Sequence, residues 1–336
     1  MKTSKNANYA FALLFLLYMF DYIDRLIIVS LFPFLQKDWG LSDTQCGLLV
    51  SAVYWSILLF SFPVSILVDR WSRKKAIGLM AVLWSLATLV CVFTRNFKQL
   101  FSARIAIGIG EAGYAPGGTA LISALFPPDK RARILGIWNA SIPLGSAIGI
   151  ASGGIIAEHL DWRHAFGIVA IPGIILALMF FKVKDYKTVE LIRTRSQEPG
   201  KTPHRMTLMD IVKTFLSKKS LLFNNLAFAS NVFVTTALLS WMPTYFHRMQ
   251  DLPMSQAGLK GGLIMFLAII GAPLGGYLSD RWMKHTPRAR MLLPAISSAV
   301  SAVILFVAFA YLEGGIQYLA LLCLGVTIIM FVPAAV

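Results

Sequence analysis

Charge is scarce in this chain. Only 14% of its 336 residues are charged, against about 25% in a soluble globular protein. Cysteine is scarcer still. Cys46, Cys91 and Cys323 lie in or beside apolar runs without metal-ligand spacing, which excludes a disulfide framework. The five histidines show no metal spacing either. No nucleophile and base are set out as a pair, so neither enzyme chemistry nor a cofactor is expected. What the chain has is hydrophobic residues, 57% of the total. They come in runs of roughly 20, enough to cross a hydrocarbon core of ~30 Å. This pattern describes an all-α polytopic membrane protein. A β-barrel would show short alternating segments.

Gly, Pro and charged clusters divide the runs into ten helices, at 9–35, 45–67, 76–94, 98–122, 133–157, 163–181, 220–246, 256–278, 290–312 and 316–336. The first run is read as a span rather than a cleaved leader. The formal net charge is +15, and its distribution follows topology. Of the 31 Lys and Arg, 23 fall on one side of these spans and 5 on the other. The positive-inside rule then predicts a multi-pass protein of the cell (inner) membrane with a cytoplasmic N-terminus and a cytoplasmic 182–219 connection. Nucleic-acid binding is not needed to explain the basic charge. The 182–219 segment divides a six-helix bundle, 1–181, from a second bundle, 220–336. It reads as a solvated linker resting on lipid headgroups, with a short amphipathic helix around "LMDIVKTFL".

Against this apolar background, helices 1 and 4 carry Asp21, Asp24, Arg25, Arg104 and Glu111. A charge at the centre of a membrane helix costs about 2.5–3.5 kcal/mol on insertion scales. Asp21 and Arg25 are four apart and share a face; Arg104 and Glu111 are seven apart and share another. At 1.5 Å per residue, Asp24 lies ~16 Å and Glu111 ~20 Å below the same membrane surface. The expectation is that these acids and guanidiniums converge in one hydrated cavity. Such a group suits proton coupling, because burial raises a carboxylate's pKa and a nearby Arg lowers it. Arg itself stays charged and grips carboxylate or phosphate with two prongs. The alternative is a static ion-pair cluster joining the two helices. Buried pairs are a poor source of stability, which disfavours it.

The sequence also repeats itself. "LVDRW", Leu67 to Trp71, returns as "LSDRW", Leu278 to Trp282, 211 residues later. Repeated halves mark one large class of secondary transporter. On that reading a complete second half has six helices, and the chain shows four of them.

These features resemble the major facilitator superfamily. "SILVDRWSRKK", Ser65 to Lys75, is similar to its loop signature, with serine in place of both glycines. Within the superfamily the chain resembles the spinster-like family in "DYIDR", "GLSDTQCGLL", "ARIAIGIGEAGYAP", "FPPDKRARILGIWNASIPLGSAIG" and "DWRHAF". The likeness is dense over 20–180 and thin beyond. The anion:cation symporter family shares the Asp-Arg of helix 1 and the Arg-to-Glu spacing of helix 4.

The resemblance implies a major facilitator fold of two helical bundles, here with ten of twelve helices. It implies proton-coupling roles for Asp24 and Glu111, and substrate-binding roles for Arg25 and Arg104. It also implies a cytoplasmic gate built on Asp69, Arg70 and Arg73 with Asp280 and Arg281; Asp21, one turn further inward, caps or gates. Asn231, nearest mid-membrane in helix 7, and Tyr114 are added as substrate contacts, although aromatic packing competes for Tyr114. Trp241 and Tyr245 read as an outer aromatic belt. The glycines of helix 5, at 136, 145, 149, 153 and 154, match an antiporter-associated pattern. Their plainer meaning is close helix packing, with bending near Pro143. "GIGEAG" lies inside a span with no preceding strand, so it is no phosphate loop.

The expected activity is proton-linked secondary transport of an anionic or amphipathic solute by alternating access, in a monomer. Lysolipids are the substrates that the resemblance suggests. The alternatives are an anion:cation symporter for small organic or sugar acids, and a membrane receptor that binds without transporting.

Overall fold

The computed structural model describes residues 5–70, 73–183, 217–286 and 288–330. The expected linker helix and the side chains of Asp69, Arg70 and Arg73 lie outside the described residues. Thirteen α-helices are described. In the first half they are α1 (Lys5–Ile27), α2 (Phe32–Trp39), α3 (Asp43–Arg70), α4 (Arg73–Cys91), α5 (Phe97–Glu111), α6 (Tyr114–Leu125), α7 (Pro128–Asn139), α8 (Ser141–His159) and α9 (Arg163–Phe180). In the second half they are α10 (Lys219–Met249), α11 (Met254–Met283), α12 (Ala289–Ala310) and α13 (Gly314–Ile329).

These helices make up ten spans, as the apolar runs predict. Three of the spans are broken. A 3₁₀ turn, Ile28–Leu31, separates α1 from α2; α5 stops before α6; and α7 stops before α8. Each break lies four residues before a proline. Pro33, Pro116 and Pro143 have no N–H for the carbonyls of Val29, Ala112 and Asn139, and the proline ring crowds the carbonyl it cannot bond. Proline alone does not decide the outcome. Pro63, Pro172, Pro243, Pro273 and Pro294 sit inside continuous helices. Seven helical stretches among the described residues are long and apolar enough to cross a membrane, one of them running through the break between α7 and α8. The broken first and fourth spans and the 16-residue α13 account for the other three.

The internal repeat is present in the backbone. Gly40, which ends α2, has φ 64°, and Asp251, 211 positions on, has φ 48°. Asp43 and Met254, again 211 apart, each open the next helix. Gly and Asp both tolerate this left-handed turn, so the two connections fold alike from different residues.

Small residues set how closely the spans approach. α8 packs on α1 through Gly149 and Gly153. A Cβ there would stand 2.6 Å from the carbonyl oxygens of Ile23 and Ile27. The same helix packs on α11 of the second half, where a Cβ on Gly258 or Gly262 would lie 2.8 or 2.7 Å from the carbonyls of Ile150 and Ala147. The α8 glycines thus serve close packing, as the sequence suggests. Outside, α3 turns Trp55, Leu58, Leu59 and Phe62 outward, each more than 60% exposed, which suits a lipid-facing surface.

The halves are tied at the end carrying the α2–α3 and α10–α11 turns. Arg248 grips Asp43 with Nη1 at 3.0 Å and Nη2 at 2.6 Å, and reaches Gln36 at 3.0 Å. Nearby, the Ser255 N–H donates to Glu158 at 2.7 Å.

Candidate functional site

The charged residues of spans 1 and 4 meet, and all of them are buried. Asp21 and Asp24 are 1% exposed, Arg25 7%, Arg104 0% and Glu111 4%. Asp24 and Arg25 lie in the last turn of α1 and Glu111 ends α5, next to two of the proline-linked breaks, while Asp21 and Arg104 stand one to two turns further back on the same helices. A helix end leaves backbone carbonyls without intrahelical partners, and polar side chains gather there to satisfy them.

Arg25 is the hub. Its Nη2 donates to Asp21 at 2.9 Å and to Glu111 at 2.8 Å. The pairing with Asp21 follows the four-residue spacing read from the sequence; the pairing with Glu111 joins span 1 to span 4. Asp21 therefore stands inside the charged cluster. The guanidinium lies 4.6 Å from the ring centre of Tyr22 and 5.4 Å from that of Tyr54. Both rings are partly exposed and cover the cluster. In this conformation the cluster is closed over rather than standing in an open cavity. One oxygen each of Asp21, Asp24 and Glu111, and Nε of Arg25, have no hydrogen-bond partner among the described residues.

Arg104 does something that its place in the sequence does not suggest. It pairs with no carboxylate among the described residues. Its Nη1 and Nη2 donate to the carbonyls of Asp24 and Arg25 at 3.2 and 2.9 Å, and Nε donates to that of Leu49 at 3.2 Å. Asp24 and Arg25 are among the last four residues of α1, just before the 3₁₀ turn, where helix carbonyls take side-chain partners. Arg104 thus caps α1 from a neighbouring span, and a cation there is favoured by the helix dipole.

Asp24 meets neither arginine directly. Its Oδ2 is bonded to the hydroxyl of Thr88, a fully buried residue of α4. Nothing in the sequence singles out Thr88, because an uncharged hydroxyl in an apolar span gives no signal.

Tyr114 is 1% exposed and donates to the Leu14 carbonyl at 2.8 Å, with its ring edge-on to Trp84. This is a packing position. Asn231 donates to the Ile328 carbonyl at 3.4 Å and lines a groove of about 470 Å³ between α10, α12 and α13, far in sequence from the cluster. By the 211-residue offset, its neighbours Ser230 and Val234 correspond to Met19 and Ile23, which pack on α8 in the first half. In the second half, Ser230 and Val234 on that face of α10 are exposed. Asp280 and Arg281 are exposed at the far end of α11, where Arg281 donates to the Tyr277 hydroxyl at 3.2 Å. Lys260 enters here as a further polar residue of the second half. It bonds Gln250 at 3.1 Å, with Phe246 and Tyr318 beside it.

Comparison with known proteins agrees with this architecture. The "Hexuronate transporter" of Bacillus subtilis is 29% identical over 329 residues, covering 91% of this chain and 77% of that protein. "Protein spinster" of Drosophila melanogaster is 29% identical over 297 residues, covering 85% of this chain. Human "Protein spinster homolog 1" is 27% identical over 314 residues. The chain spans 48% and 59% of these two spinster proteins. Among solved structures, a bacterial homolog of the human lysosomal transporter Spinster, inward-facing and unoccupied, superposes with a TM-score of 0.82 at 24% identity. That match covers 99% of this chain and 74% of the other. A D-xylose-proton symporter superposes with a TM-score of 0.69 at 15% identity, over 96% of this chain and 80% of the other. The sequence profile of the Major Facilitator Superfamily matches residues 14–336, so the chain belongs to that superfamily, and it is homologous to the spinster proteins.

Proposed function

We propose that this protein is a proton-coupled secondary transporter of an anionic or amphipathic solute, working by alternating access. One observation carries the reading: the buried cluster holds three acids, Asp21, Asp24 and Glu111, against two guanidiniums, Arg25 and Arg104. Fully ionised it has one negative charge too many for its burial. A single proton balances it. Arg25 is then the switch. When Glu111 takes a proton, the hold on Arg25 loosens, and its guanidinium is free to engage a carboxylate or phosphate of the solute; Asp24, which bonds Thr88 and not Arg25, is the second coupling acid of the cluster. Release of the proton on the other side restores the pairing.

The end tied by Arg248 and Asp43 is the outer one if the basic loops are cytoplasmic, so the conformation described is closed to the outside. Asp280 and Arg281, with Asp69, Arg70 and Arg73, are proposed as the gate at the opposite end. Asn231 and Tyr114 gain no support from their positions as substrate contacts. Placement in the cell membrane as a monomer completes the proposal.

Two solute classes compete. Kinship with spinster proteins favours a lysolipid. The extensive match to the hexuronate transporter favours a small sugar acid. Thermal stabilisation of the purified protein by lysophospholipids against hexuronates separates them. Flux in proteoliposomes separates a transporter from a receptor that binds without transporting. Binding with no flux under an imposed pH gradient would refute the proposal.

A further inference from the structure

The bond between Thr88 and Asp24 bears on where a coupling proton would sit. The inference rests on the proton-coupled reading above and deepens it. Thr88 Oγ1 has one proton and faces two acceptors, Asp24 Oδ2 and, at 2.9 Å, the carbonyl of Trp84 one turn back on α4. Suppose that Asp24 were ionised. Its sole side-chain hydrogen bond would be the one from Thr88, its Oδ1 would have no partner, and the nearest guanidinium would be spent on carbonyls. A buried carboxylate is poorly served by that arrangement.

If Asp24 is protonated, the chain of donors and acceptors closes. Asp24 donates from Oδ2 to Thr88, and Thr88 donates onward to Trp84. We propose that Thr88 is a positioning residue for the coupling acid: it accepts from Asp24 in the protonated state described here, and turns its hydroxyl to donate when the proton leaves. A hydroxyl is the smallest group that can serve both states, and Thr88 is completely buried, so water does not compete for it.

The charged and titratable groups acting on Asp24 are Asp21 and Arg25 of its own helix, Arg104 and Glu111 of α5, and Cys91 of α4. The helices α8 and α9, also packed on α1, contribute none. Among the described residues, the Asp24 carboxyl is bonded by none of these groups and by the neutral hydroxyl of Thr88.

The test is infrared titration of the reconstituted protein. The protonated-carboxyl band of Asp24 is identified by its disappearance in Asp24→Asn. A hydrogen bond to a charged group is stronger than one to a neutral group, so removing the hydroxyl harms the ionised form more. In Thr88→Val the pH midpoint of the band should therefore rise by about half to one unit. Thr88→Ser, which restores the hydroxyl, should titrate like the parent protein. A merely structural role would lower stability without moving the midpoint. The proposal is overturned if Thr88→Val titrates like the parent, or if Thr88→Ser shifts as far as Thr88→Val. If Asp24→Asn removes no band that titrates, the coupling role of Asp24 falls, and this inference falls with it.

Discussion

Arg25 Nη2 stands 2.8 Å from Glu111 and 2.9 Å from Asp21, so one nitrogen holds acids from two spans. The two partners compete for the same group. Protonating either one leaves the guanidinium with the other, which couples a local charge change to the seam between spans 1 and 4. Arg25→Lys keeps the charge but replaces the planar fork with a compact, mobile ammonium. We expect the variant to fold and to lose gradient-driven uptake by about 10-fold or more. Size-exclusion behaviour and proteoliposome flux, measured together, check this. Uptake at the parent rate would show that the shared nitrogen is unimportant.

Arg104 is expected to behave differently. Its three donors satisfy three backbone carbonyls, two of them at the end of α1. Each buried carbonyl left unsatisfied costs about 1–3 kcal/mol. Lysine cannot reach all three with the same geometry. Arg104→Lys should therefore lower the thermal midpoint in detergent by on the order of 5 °C, with or without solute. An unchanged midpoint with weakened solute binding would return Arg104 to the substrate site.

These two arginines show what the sequence reveals and what it hides. Charges in apolar spans announce themselves, and the four-residue step from Asp21 to Arg25 puts them on one helical face by spacing alone. The use of Arg104 depends on α1 ending at Ile27. That ending is not legible, because Pro33, Pro116 and Pro143 break their spans while five other prolines lie within unbroken helices. The ten spans and the 211-residue repeat are legible because hydropathy and motif spacing suffice for them. Thr88 is not, and neither is the closed state of the cluster, since pattern carries no information on which conformation is populated.

The tie between Arg248 and Asp43 predicts a bias between conformations. Both side chains are about half exposed, so the pair is worth at most about 1 kcal/mol. Arg248→Gln should therefore raise the population open at that end by no more than about fivefold. Spin labels at Ser42 and Asp251, one on each half, report it as growth of a longer distance in pulsed electron resonance. An identical distance distribution in the variant would show that the pair follows closure without stabilising it.

The most direct measurement is solute uptake into proteoliposomes driven by an imposed pH gradient, with Glu111 compared with Glu111→Gln. The substitution keeps the shape of the side chain and removes its ability to release a proton. The account predicts a folded protein whose uptake no longer responds to the gradient. Uptake by Glu111→Gln at the parent rate, with the parent's pH dependence, would contradict it.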